Sequence, residues 1–147
     1  MKIALVFTFL TLSLSSVFAQ EEVKWSQYFD NQNSTLVTKA EIKEGWHLYS
    51  QHIDEFAGPV ATALVFTSTQ EFDLIGKTQE SESIEAFDPN FESDVAYFEK
   101  EATFLQKINI KNDIQLVTTV TFMVCNDVMC LPPVDKELTI KIPSSIN

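Results

Sequence analysis

The chain has 147 residues, with 10 Lys and Arg against 21 Asp and Glu, for a net charge of −11. So acidic a chain repels nucleic-acid phosphates and anionic lipid, which excludes a nucleic-acid-binding role and leaves basic surfaces as the partners its field would steer towards. It holds two cysteines, Cys125 and Cys130, too few for a disulfide scaffold and without further ligands at zinc-finger spacing.

Met1-Lys2 gives a short positive start, and Ile3 to Leu14 is an apolar run broken only by Thr and Ser. Val17-Phe18-Ala19 then closes it in the manner of a peptidase site. The run is too short to cross roughly 30 Å of hydrocarbon comfortably, so residues 1–19 read as a secretory signal peptide cleaved after Ala19. Residues 20–147 then form one exported domain, with nine basic against 21 acidic residues, a charge of −12. No direct membrane insertion is expected after cleavage, and the expected location is the periplasm.

The mature part reads as strands. Alternation or β-branched and aromatic enrichment marks Val23 to Phe29, Thr35 to Ile42, Gly45 to Tyr49, Val60 to Thr67, Phe72 to Lys77, Tyr97 to Ile110, Gln115 to Cys125 and Glu137 to Ile142. Asn112-Asp113 is a turn signal, so 97–125 reads as a hairpin. About eight short strands without a helical stripe predict an all-β, immunoglobulin-like β-sandwich, with a closed barrel as the alternative. The stretch 79–94 reads as a long irregular acidic loop with aromatics, a plausible lid. His47 and His52 read as surface or interface histidines, and Trp25, Trp46 and Tyr49 as core or edge packing.

The chemistry sits in Thr121 to Pro133. A strand leads into Cys125, Asn126-Asp127 is a turn pair, Cys130 follows, and Pro132-Pro133 stops the ladder. In an exported chain two thiols this close pair readily. The closed loop is so short that chain entropy assigns the bridge only about 2 kcal/mol, which shifts weight from a staple towards a reactive bridge. Both sulfurs are expected at an accessible loop end, where exchange needs a clear line of attack. No base lies inside the loop, and Asp127 would raise a thiol pKa rather than depress it. Two other readings stay open: a structural bridge in a partner-binding module, and a Cu(I) site using Met123, Cys125, Met129 and Cys130 as soft ligands. No Ser/His/Asp set, phosphate loop or carboxylate pair stands out, and neither a cofactor nor a resident metal is expected.

Val124-Cys125-Asn126-Asp127, then Cys130-Leu131-Pro132-Pro133, resembles the cysteine hairpin of the N-terminal periplasmic domain of the DsbD family. Gly45-Trp46-His47-Leu48-Tyr49-Ser50 is similar to that family's early aromatic segment, and Glu85 to Phe91 falls where the family carries a loop capping the cysteines. The resemblance implies an immunoglobulin-like sandwich. It implies passage of reducing equivalents from a membrane-embedded thiol conductor to thioredoxin-like periplasmic proteins, including those of cytochrome c maturation. It also implies that Cys130 joins partners, that Cys125 resolves the mixed disulfide, and that Phe87 or Phe91 shields the pair beside Asp88. Asp54-Glu55-Phe56 is a competing candidate for the cap. Four residues separate the cysteines, against five in the best-known member. The chain stops after this domain, so a separate membrane partner is expected.

Overall fold

The computed structural model describes residues 22–54, 56–67 and 71–144, so the predicted leader, 1–19, lies outside the described residues. Among the described residues eleven strands run in chain order: β1 (Val23–Asp30), β2 (Thr35–Ile42), β3 (His47–Tyr49), β4 (Ala63–Phe66), β5 (Phe72–Glu80), β6 (Ile84–Asp88), β7 (Ser93–Glu99), β8 (Glu101–Ile110), β9 (Ile114–Phe122), β10 (Val124–Cys125) and β11 (Val134–Ile142). They form three antiparallel sheets, in the orders β1-β2-β8-β5, β10-β3-β7-β6 and β11-β9-β4. The architecture is the expected immunoglobulin-like sandwich, built from more and shorter strands than the eight foreseen. No described helix is long and apolar enough to cross a membrane.

Period-2 alternation drives the assembly. On β8, Ala102, Phe104, Gln106 and Ile108 are buried while their neighbours are exposed or partly so. Phe104 meets Trp25 at 5.9 Å and Phe98 at 5.9 Å, edge-on in the second case, and Trp25 meets Phe122 at 5.2 Å. These rings join Ala40, Ile42, Leu48 and Val124 in a core fed by all three sheets. Full burial of such side chains contributes about 1.5–3 kcal/mol each. Gln27 crosses between layers, donating from Nε2 to Thr38 Oγ1 on β2 and Thr118 Oγ1 on β9, both at 2.9 Å.

Gln106 is polar yet buried, and the edge strand β5 explains it. The β5–β8 register shifts between Ile75 and Gln79, where Gly76 adopts φ +70°. Gln106 fills the gap. Its amide donates to the carbonyls of Ile75 and Lys107, and its Oε1 accepts from the Thr78 hydroxyl at 2.8 Å.

Three expectations on chain organisation are corrected. Residues 97–110 are two strands in different sheets, parted at Lys100 with φ +66°. Phe98 and Phe104 face one core, so the alternation runs on across the break. Residues 97–125 are not a hairpin, because β8 pairs with β2 and β5 whereas β9 pairs with β11 and β4. Asn112-Asp113 reverses the chain but carries it to the other layer, where Asp113 Oδ1 accepts from the Ser144 backbone N–H and hydroxyl. Finally, 79–94 is mostly ordered: β6 and β7 form a hairpin closed at Asp88↔Ser93. On β6 the buried position is the acidic Asp88 while the aromatic Phe87 is exposed, which inverts the pattern alternation is read from.

Candidate functional site

The sheet β10-β3-β7-β6 positions the cysteines. Leu48, Phe98 and Val124 point into the core, so their neighbours His47, Tyr49, Tyr97 and Cys125 share the opposite face. Asp88, at the end of β6, completes that face. The strand feeding the hairpin leaves its first sheet at Met123, and β10 then pairs with β3, setting Cys125 opposite His47 and Val124 opposite Leu48.

Cys125 and Cys130 are joined by a disulfide, with Cα atoms 4.0 Å apart, and are opposed as an isolated bridge. The loop between them is tightly bonded. The Asn126 N–H donates to the Met129 carbonyl and the Leu131 N–H to the Val124 carbonyl, both at 2.9 Å. Asn126 Oδ1 accepts from the N–H groups of Val128 and Met129 at 2.9 Å, an Asx turn. Asp127 is exposed at the tip, and exposed Pro132 and Pro133 precede the restart of the ladder at Val134↔Phe122. One expectation is corrected here. The sulfurs are not equally accessible: Cys125 is 0% exposed, and Cys130 is partly buried. The strand position of Cys125 puts it beneath the loop rather than on it.

Of the candidate cap residues, Phe91 packs against the cluster of Tyr49, Ala57, Val95 and Cys125, its ring edge-on to Tyr49 at 6.0 Å. Phe87 falls on the other side of β6 from Asp88 and is 61% exposed. Of the competing segment, Phe56 is 88% exposed and its N–H bonds to Asp54 Oδ1 at 2.8 Å. That loop nonetheless buttresses the site, since Ile53 and Ala57 join the cluster around Cys125. Gly58, at φ +104°, lies so close to Phe91 that a Cβ there would sit 2.5 Å from the ring. Asn90 ties the β6–β7 turn to the cysteine loop, its Nδ2 donating to the Asn126 carbonyl at 3.0 Å.

A buried polar network lies beside the bridge. Tyr49 donates its hydroxyl to Asp88 Oδ2 at 2.5 Å, and the Asn90 N–H bonds Asp88 Oδ1 at 2.7 Å. His47 Nε2 lies 3.1 Å from the Tyr49 hydroxyl and 3.4 Å from Asp88 Oδ2, with its side chain 13% exposed. Burial pushes the Asp88 carboxyl up, but the bonds from Tyr49 and Asn90 and the nearby His47 outweigh it, leaving the group below its ordinary value. Burial, then the Asp88 bond and charge, pushes the Tyr49 hydroxyl well up.

The sequence reads His47 as a surface or interface histidine and Tyr49 as core or edge packing, and this network is not visible in that reading. The signal was present in the spacing, because His47 and Tyr49 share a strand parity. Recognising it needed the order β3-β7-β6, which brings Asp88 to that face. Met123 packs against the cysteine cluster and takes a 3.5 Å contact from the Val60 N–H, while Met129 is exposed. Among the described residues no three His, Cys, Asp or Glu side chains converge as a metal site.

The lowered Asp88 pKa makes a signed prediction. A carboxyl held below its unfolded value contributes stability that is present above the ordinary range, near pH 3.9, and lost as pH falls through the folded value. Asp88→Asn should cost about 1–3 kcal/mol at neutral pH and flatten the loss of stability on acidification. Urea midpoints at neutral and acid pH measure both. Equal acid losses in the two proteins would acquit Asp88.

An immunoglobulin-like sandwich presenting a short disulfide hairpin beside an aromatic-capped Tyr–Asp–His network defines a class of thiol–disulfide domain. Residues 15–142 match the family described as thiol:disulfide interchange protein DsbD, N-terminal, and the chain belongs to that family. No curated protein sequence matches it significantly. Among solved structures it is similar to the reduced DsbD N-terminal domain of Neisseria meningitidis (18% identity, TM-score 0.63, covering 87% of this chain and 91% of that one). A second is the complex of the DsbD and PilB N-terminal domains from the same organism (14%, TM-score 0.62, covering 89% and 95%). The N-terminal periplasmic domain of ScsB from Proteus mirabilis is a third (14%, TM-score 0.58, covering 84% of this chain and 48% of that one).

Proposed function

We propose that this chain is an exported periplasmic domain. It passes reducing equivalents between a membrane-embedded thiol conductor and thioredoxin-like partners through Cys125 and Cys130. The observation that carries the reading is the asymmetry of the pair. A partner sulfur can approach Cys130, while Cys125 is wholly buried beneath the loop and suited to resolving the mixed disulfide. Val128, 86% exposed, and Met129 flank Cys130 as apolar contact area for a docking protein. The Neisseria complex, in which a domain of this family engages PilB, supports a protein as the partner. Cys130 would capture the partner, and Phe91 with Asp88 would belong to the cap, held by the Asn90–Asn126 bond when closed.

A relay bridge and a staple differ in reduction potential. A staple in an exported protein lies below about −300 mV, and a relay bridge well above it. Equilibration of the pair against glutathione is expected to place it above that value. A potential below it would return the bridge to a structural role.

A further inference from the structure

The buried position of Cys125 creates a proton problem. When a partner attacks Cys130, the bridge's electron pair leaves on Cys125 Sγ, where it has no water to solvate it. An unpaired charge buried there costs several kcal/mol, so the leaving sulfur needs a proton.

The groups around this sulfur are nearly all acids. Asp88 reaches the face from β6, and Tyr49 from β3 itself. Tyr97 and Glu99 stand opposite on β7, and Asp127 lies in the cysteine loop, its charge felt at Tyr97. Asp88 is kept ionised by its hydrogen bonds and is a poor proton source. Both tyrosines hold their protons tightly, chiefly through burial. Glu99 is exposed.

His47 differs. It is the direct register partner of Cys125, and facing residues on antiparallel strands hold their Cβ atoms about 4.5–5.5 Å apart on one face. Its tautomer follows from its neighbours. Tyr49 spends its single O–H on Asp88, so the Tyr49 oxygen at 3.1 Å and Asp88 Oδ2 at 3.4 Å both face His47 Nε2 as acceptors. Nε2 therefore carries a hydrogen, and Nδ1 is the nitrogen free to gain and lose a second one. Imidazole is also the side chain that changes charge near neutral pH.

We propose that His47 is the proton carrier for Cys125. In the opening direction a partner thiolate forms a new S–S bond with Cys130 and the Cys125–Cys130 bond breaks. Its electron pair goes to Cys125 Sγ, and the imidazolium of His47 gives up one proton, leaving a neutral ring and a Cys125 thiol. In the resolving direction His47 takes that proton back as Cys125 attacks the mixed disulfide and the partner leaves as a thiolate. Asp88 and Tyr49 steady the ring in both. The inference rests on the exchange reading above, but its test needs no protein partner.

The oxidised chain is reduced by 2-mercaptoethanol across about pH 6 to 9, spanning the ordinary imidazole range, with each rate divided by the concentration of mercaptoethanol thiolate. The wild-type normalised rate should fall on the order of a hundredfold from the acid to the alkaline end, the usual scale of positioned proton transfer. His47→Gln, which keeps an N–H donor towards Tyr49 but cannot titrate, should be slower by about that factor at the acid end, flat with pH, and equal to wild type at the alkaline end. In the folded wild type, the inflection should coincide with the His47 ring titration followed by NMR. A variant with the wild-type profile, or one slowed equally at every pH, overturns the proposal. So does a wild-type rate that drops on acidification, as a His47–Asp88 pair locking the cap would produce. Absence of any adduct with thioredoxin-like proteins would instead sink the exchange reading and leave this measurement standing.

Discussion

Cys125→Ser will capture a thioredoxin-like partner and fail to release it, whereas Cys130→Ser will capture none. The difference follows from burial. A partner sulfur needs a line of approach to its target, and only Cys130 offers partial exposure; Cys125 lies on β10 under the loop. In Cys125→Ser the resolving sulfur is gone, so the mixed disulfide through Cys130 accumulates and turnover stops. In Cys130→Ser the remaining thiol is covered, turnover stops, and nothing accumulates. Neither change should unfold the domain, because a bridge closing a loop this short contributes only about 2 kcal/mol of chain entropy. Non-reducing electrophoresis after mixing each variant, its remaining cysteine as the free thiol, with periplasmic thioredoxin-like proteins in their disulfide form reads the result directly. Adducts from Cys130→Ser together with none from Cys125→Ser would reverse the roles given to the two sulfurs.

Phe91→Ala should make the pair reactive towards small reagents without any partner. The ring packs against the buried cluster that holds Cys125, edge-on to Tyr49. An aromatic contact of this kind is worth about 0.5–1.5 kcal/mol beyond its buried area. Losing it together with part of the ring's burial weakens the closed cap by about 1.5–3 kcal/mol, which raises the open population roughly 10- to 100-fold. The rate of bridge reduction by a small thiol should rise by that factor. Gly58→Ala approaches the same ring from behind. Its new methyl would meet Phe91 at 2.5 Å, and the position's φ of +104° already disfavours any side chain. Both variants are expected to speed small-thiol reduction, Gly58→Ala at a further cost in stability. An unchanged rate in Phe91→Ala would mean that the ring is not the barrier.

Much of this was legible in the sequence because it depended on local pattern. Thr35 to Ile42 alternates cleanly and forms β2 with those bounds. The side of β8 that carries Ala102, Phe104, Gln106 and Ile108 was readable as its buried side. The cysteine turn was readable from Asn126, Asp127 and the two prolines. What stayed hidden was pairing between distant strands. Alternation says that Phe98 and Phe104 face one core, and it is blind to the change of sheet at Lys100. Asn112-Asp113 announces a reversal without naming the layer the chain enters. His47 joins the site only because β3 lies between β10 and β7, a neighbourhood spanning more than seventy residues of chain. Asp88 was noticed through resemblance, yet its bond to Tyr49 is tertiary.

The bulge on β5 has a consequence for life at high concentration. β5 is an outer strand, and Leu74 and Ile75 are exposed on it. A flat apolar rim of that kind invites another chain to add a strand and begin a fibre. At Gly76 the backbone steps out of register, and Gln106 has already claimed the carbonyl of Ile75. A would-be neighbour finds a bent edge that steps out of register, and the rim is a poor template for polymerisation.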